Sequence, residues 1–379
     1  MEPLGLTAAQ LSAPMEGPKR ILTIEGGGVR GVFTLQILRQ MEQELRTHYK
    51  RPEMVLADHF HLVAGTSVGA ILATFLSLGW SVDRLSVLFD ASLKPIFSRA
   101  RWWKLGGAAF RRGPLREILQ REFTEADGTP SLFGTRRLKT WLLVVVRNLS
   151  TGSAWPLLNH PESLFNRLTQ PDGTDHRGSN LRIPLWQLVR GSTAAPWFFP
   201  PERVTLEPGE TVEFIDGGIT AYNNPSVVAV MMATLPCFPL QWKKGVEHLQ
   251  VVSVGTGRCR TLLSLKQRWR FGRLGLAGKV PAGLIESTAQ AQDLVMRTMG
   301  RCVYGPPVDS EIGTLMDGHA SVGDFRYCRY NRDFTAQEIS QACTDLRTKF
   351  SLSAIKLAPW LREQGQSYAR EAVKIEHLI

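Results

Sequence analysis

Leu62-Val63-Ala64-Gly65-Thr66-Ser67-Val68-Gly69-Ala70-Ile71-Leu72 runs as an apolar strand into Gly-x-Ser-x-Gly and straight out into an apolar helix. This pattern reads as a nucleophile elbow. A chain that turns so sharply from strand to helix strains the backbone of the central residue, so its neighbours two places away must be small, and both Gly65 and Gly69 are. Ser67 would then stand at a helix N-terminus, where unpaired N–H groups and the helix dipole favour developing negative charge. No charged residue occurs from Leu62 to Val82, a length that could span a bilayer. The glycines and Ser67 instead divide it into a buried strand, an elbow and a buried helix.

Upstream, Ile21-Leu22-Thr23-Ile24-Glu25 is a strand, and Gly26-Gly27-Gly28-Val29-Arg30-Gly31 leads into an amphipathic helix from Val32 to about His48. Strand, glycine loop and helix form an anion-binding construction. Gly26, Gly28 and Gly31 satisfy G-x-G-x-x-G, which raises a dinucleotide site as an alternative. A dinucleotide unit should place an acidic residue near the end of the next strand, whereas that strand ends in the serine elbow. The N–H groups of Gly27, Gly28 and Val29 are therefore expected to form an oxyanion hole beside Ser67.

With 379 residues, 43% of them hydrophobic, the chain can bury a large core. Residues 1–19 hold no apolar run behind a basic start and read as a loose arm, not a secretory signal. Five scattered cysteines without C-x-x-C suit neither a disulfide framework nor a zinc site, which points to a reducing cytoplasm. A net charge of +11 favours anionic partners. Cations interleave with rings from Phe97 through Arg99, Arg101, Trp102, Trp103 and Lys104 to Phe110, Arg111 and Arg112, and again over Lys266 to Arg273. These stretches suit either a membrane interface or ordinary inward packing. No zinc-finger spacing or RNP-type strand supports a nucleic-acid polymer.

Further along, helices are expected at Ser81–Phe89 and Pro114–Phe123, a fully buried strand at Thr140–Val146, and a helix at Leu185–Arg190 ahead of small residues and Trp197-Phe198-Phe199. The strand Val212–Ile215 delivers Asp216-Gly217-Gly218, which places Asp216 where open α/β sheets bind ligands. A helix follows Asn223-Asn224-Pro225, then a strand from His248 to Val254. The remainder reads as helical over Ala282–Met299 and from Thr335 to the end, with an edge strand at Phe325–Arg329.

A serine–acid–histidine triad would need a histidine after Asp216. His248 begins a strand and His377 nearly ends the chain, leaving His319 as the loop candidate. Only one clear strand precedes the elbow strand, which also argues against an α/β-hydrolase. A Ser67–Asp216 dyad remains. An ordinary aspartate, near pKa 3.9, is a weak base for a hydroxyl, so the dyad needs a dry site. Val68, Leu72, Trp197, Phe198 and Phe199 are candidates to wall it.

Four motifs in order, Glu25 to Gly31, Gly65 to Gly69, Ser192-Thr193-Ala194-Ala195-Pro196, and Asp216-Gly217-Gly218 with Asn223-Asn224-Pro225, make the chain resemble the patatin-like phospholipase family. The resemblance implies a three-layer α/β/α fold with a mostly parallel central sheet, a catalytic core over 20–257 and a mainly helical part, 258–379, packed on it. It also implies a phospholipase A-type lipid acyl hydrolase with Ser67 as nucleophile, Asp216 as base, an oxyanion site over Gly26, Gly27, Gly28, Val29, Arg30 and Gly31, and no metal or cofactor. Glu25 stands where the family commonly has aspartate. Bacterial relatives act as membrane-degrading effectors in antiviral defence, which makes membrane phospholipid the expected substrate, a cyclic nucleotide a candidate activator, and the location cytoplasmic with peripheral membrane contact. The alternative is a non-catalytic module holding an anion or dinucleotide in the Gly26–Gly31 loop.

Overall fold

The computed structural model describes residues 4–14, 16–98, 108–170, 172–207, 209–259, 280–316 and 322–379. Among them the strands β1 (Lys19–Ile24), β2 (Leu62–Thr66), β3 (Trp141–Asn148), β4 (Ala154–Leu158), β5 (Glu202–Glu207), β6 (Glu210–Asp216), β7 (Leu249–Val254), β9 (Arg301–Tyr304) and β10 (Arg326–Tyr330) form one mixed sheet. Its order is β5-β6-β3-β2-β1-β7-β10-β9, with β4 on β3. From β3 to β9 the strands are parallel. Leu142 to Val146 of β3 and all of β2 and β7 are buried, as expected of parallel strands covered on both faces. A separate pair joins β8 (Arg258–Cys259) to β11 (Asp333–Phe334).

Two helical groups cover the sheet, giving the α/β/α arrangement. One contains α1 (Gly31–Tyr49), α2 (Val68–Ser77), α3 (Val82–Ile96), α4 (Gly113–Glu122), α5 (Leu185–Ser192) and the C-terminal α9 (Ala358–Ala372), linked through α1–α9, α1–α3, α2–α3, α2–α5, α3–α4 and α4–α5 contacts. In the other, α6 (Ser226–Thr234) packs on α7 (Val280–Met299) and over β1 and β7, while α7 reaches β9 and β10.

Three expectations require correction. The helix read from Thr335 to the end is broken: α8 (Ala336–Asp345) stops, residues 346–354 form a loop in which Arg347 takes φ 45°, and α9 starts with proline in its first turn. Thr348, Phe350, Ser351 and Ser353 are all weak helix formers, so the break has a local cause. Phe325–Arg329 was expected at an edge, but β10 lies between β7 and β9. The helix expected at Ser81–Phe89 runs on to Ile96, with Pro95 tolerated in its last turn.

The sheet register explains how distant residues meet. On one edge of β3, β4 pairs with Leu143 to Arg147. Along the other edge β2 pairs up to Thr66–Val145, and β6 arrives from the opposite direction to pair Asp216 with Val146. The strands β2 and β6 thus meet end to end, one residue apart on their shared neighbour.

Candidate active site

Ser67 adopts φ 55°, ψ −125°, a conformation a non-glycine residue holds only when its surroundings enforce it. Those surroundings are visible. A Cβ on Gly65 would lie 2.1 Å from the Gly69 carbonyl oxygen, and one on Gly69 would lie 2.2 Å from the Ile24 oxygen, so the elbow closes on itself and on β1. The Ser67 N–H donates to Ser192 Oγ at 2.9 Å, and that hydroxyl donates to the Val145 carbonyl at 2.7 Å. Ser192, at the end of α5, thereby ties the elbow to β3. The sequence placed it in the Ser192 to Pro196 motif without showing this role.

The Ser67 hydroxyl donates to Asp216 Oδ2 at 2.6 Å, and Asp216 Oδ1 accepts the Gly218 N–H at 2.7 Å. Asp216 is 5% exposed. Burial pushes its pKa up from 3.8 to about 6, opposed by the Ser67 and Gly218 hydrogen bonds and by the charge of Arg190. Arg190 is fully buried, its guanidinium carbon 5.0 Å from the centre of the Phe199 ring, and none of its side-chain nitrogens has a hydrogen-bond partner among the described residues. Nothing in the sequence distinguished it from a surface cation.

The glycine loop lies against this pair: a Cβ on Gly26 would come within 3.0 Å of Ser67 Cβ. Its amides are not equivalent. Gly26 N–H donates to the Asn223 carbonyl at 3.3 Å, Val29 N–H to Leu352 at 2.8 Å, and Arg30 N–H to Gly27 at 3.1 Å. Gly31 N–H turns back to Gly28 and Val29, and the Arg30 side chain donates to the Gly257 carbonyl at 2.7 Å. The expectation for Val29 is therefore corrected, because the 346–354 loop already takes its N–H. Gly28 has φ 58°, and a Cβ there would lie 2.2 Å from the Leu352 oxygen. The N–H groups of Gly27 and Gly28 have no acceptor among the described residues.

The pair faces an apolar cavity walled by Val68, Ile71, Leu93, Ile96, Phe198 and Phe199 among others. Two expected wall residues lie elsewhere. Leu72 is packed into the core, and Trp197, with φ 65°, is 73% exposed. Phe97 and Phe110 of the first basic aromatic stretch pack inward, edge to face at 5.3 Å, with Phe110 stacked on Phe198. Arg112 pairs with the buried Glu202 at 2.9 Å, so it is not a free cation. Arg99, Arg101, Trp102, Trp103, Lys104, the Lys266–Arg273 stretch and His319 lie outside the described residues.

No histidine among the described residues lines the cavity. His248 is exposed, and His377 meets Tyr330 Oη at 3.0 Å. No group of three or more His, Cys, Asp or Glu among the described residues could hold a metal ion. Glu25 forms a buried ion pair with Arg329 of β10, which ties the glycine loop's root across the sheet.

The fold and site together define an α/β/α protein with a serine–aspartate pair at the meeting point of two strands. A family model described as patatin-like phospholipase matches residues 22–230, and the chain belongs to that family. It is 28% identical over 240 residues to the cUMP-AMP-activated phospholipase of Escherichia coli, covering 63% of this chain and 64% of that protein. It is 31% identical over 291 residues to the cGAMP-activated phospholipase of Vibrio cholerae, covering 73% and 75%. A cGAMP-activated phospholipase of another E. coli strain is 32% identical over 220 residues, covering 56% and 55%. The aligned regions thus span less than two thirds of the length of both E. coli relatives.

Proposed function

We propose that the chain is a lipid acyl hydrolase of phospholipase A type that cleaves fatty-acyl esters of membrane glycerophospholipids. One observation carries this: a strained serine hydrogen-bonded at 2.6 Å to a buried aspartate, facing an apolar cavity. Ser67 Oγ attacks the ester carbonyl while Asp216 takes its proton, the Gly27 and Gly28 amides receive the negative charge on the carbonyl oxygen, and Asp216 returns the proton to the leaving alcohol. Water then attacks the acyl-enzyme, with Asp216 again as base. The family and the names of its relatives support the lipid substrate.

The relatives' names also support a cyclic dinucleotide as activator. No helix of the described residues is long and apolar enough to cross a membrane; the net charge of +11 supports peripheral docking on anionic lipid. A non-catalytic anion-binding loop is disfavoured, since Gly26, Val29, Arg30 and Gly31 already spend their amides within the chain.

A fluorophosphonate probe tests the nucleophile: it should label Ser67 in the wild type and leave Ser67→Ala unlabelled. The variant deletes one oxygen from a turn and should melt within a few degrees of wild type. Equal labelling of both proteins would reject Ser67.

A further inference from the structure

Behind the glycine loop lies a second, polar chamber, small enough to hold about one water, lined by Glu25, Arg258, Glu286, Gln290, Asp293 and Arg329, with Thr256 beside them. It meets the apolar cavity at three residues common to both walls, Gly26, Arg30 and Asn223. We propose that this chamber holds and delivers the water that releases the fatty acid, and that Asn223 is a catalytic residue contacting that water. The proposal rests on the Ser67 acyl-enzyme described above.

Three observations converge. First, the chamber is lined by groups that can hold ordered water, the carboxylates of Glu25, Glu286 and Asp293, the amide of Gln290 and the guanidinium groups of Arg258 and Arg329, and such a water needs two to four polar partners. Second, the cavity that would take the acyl chain is walled by Val68, Ile71, Leu93 and Ile96, where water is disfavoured. Third, Asn223 stands at the junction. A Cβ on Gly26 would lie 2.5 Å from Asn223 Oδ1 and 3.0 Å from Ser67 Cβ, while one on Gly218 would lie 2.9 Å from Asn223 Oδ1 and 3.0 Å from Asp216 Oδ1. Asn223 therefore shares one neighbour with the nucleophile and another with the base.

Its backbone is fixed for the task. The Asn223 carbonyl accepts from Gly26 N–H, and the preceding carbonyl of Tyr222 accepts from Thr66 Oγ1 at 2.7 Å. In the deacylation step Asn223 Oδ1 accepts one hydrogen of the water and Asp216 takes the other, leaving a lone pair aimed at the acyl carbon. The new C–O bond forms, the bond to Ser67 Oγ breaks, and Ser67 Oγ recovers the proton from Asp216 as the carboxylic acid departs.

A chromogenic soluble ester, followed before steady state and by intact-protein mass spectrometry, separates the two steps. Asn223→Ala is expected to release about one equivalent of chromophore in a burst, turn over at least tenfold more slowly than wild type, and accumulate a Ser67 acyl adduct. Gln290→Leu, which makes the far wall of the chamber apolar, should also accumulate adduct, to a smaller extent, and decides the matter if Asn223→Ala fails to fold. Slower turnover without adduct, or unchanged turnover in both variants, would overturn the proposal. Failure of the wild type to react with a fluorophosphonate at Ser67 would instead remove the acyl-enzyme itself.

Discussion

In the proposed mechanism Asp216 acts as a base from a position where its charge is poorly tolerated. With a pKa near 6, it is ionised at neutral pH yet a stronger base than an exposed aspartate. Hydrolysis of a soluble ester should rise about tenfold per pH unit up to pH 6 and level off above, and a rate unchanged from pH 7 down to pH 4, with no inflection near 6, would contradict the role. The same burial has a stability consequence. Because the folded pKa lies above the unfolded one, Asp216 favours the folded state most below pH 3.8 and loses that contribution as pH rises through 6. Asp216→Asn should therefore abolish turnover while stabilising the protein at pH 8 by up to about 3 kcal/mol, a gain that shrinks as the pH approaches 4. Denaturant unfolding of both proteins across that range checks the sign.

The elbow is a property of elements held in contact more than of one motif. Ser192 supplies the acceptor for the Ser67 N–H, so Ser192→Ala leaves a buried donor without a partner, at a cost of about 1–3 kcal/mol. Turnover should fall about ten- to a hundredfold, mainly in kcat, with Ser192→Thr recovering part of it. A loss of stability with unchanged kcat would make Ser192 structural only. The strands β1, β2, β6 and β7 were legible in the sequence as apolar runs leading into glycine, and β3 as an unbroken apolar run. Less visible were β4 (Ala154–Leu158), which contains proline, the charged edge strand β5, and β9, only four residues long. Ser67 and Asp216, the proposed nucleophile and base, stood out in the sequence through their flanking glycines. Ser192 and Asn223 stood in recognised motifs without a role, and nothing in the sequence pointed to Arg190 or to the Leu352 carbonyl against Val29.

For the whole molecule, the +11 charge and the apolar cavity point to an anionic lipid surface. Trp197 is strained and exposed beside Phe198 of the cavity wall, and its carbonyl accepts the Ala109 N–H at 2.8 Å, which ties it to the basic aromatic stretch. Replacing Arg99, Arg101 and Arg111 by glutamine should weaken binding to anionic vesicles about a hundredfold, at about 1 kcal/mol per cation, and added salt should mimic the change. Trp197→Ala should lower vesicle hydrolysis while changing soluble-ester hydrolysis less than threefold. Equal loss of both activities would assign Trp197 to packing, as the structure already assigns Phe97 and Phe110.

Mass spectrometry of the lipids left after incubating the protein with mixed phospholipid vesicles, with and without cyclic dinucleotides, tests the central claim most directly. The wild type should release free fatty acid and lysophospholipid, more strongly with its activating dinucleotide, and Ser67→Ala should release neither. Equal fatty-acid release by the two proteins, or none from the wild type under any of these conditions, would contradict a Ser67-dependent lipid acyl hydrolase.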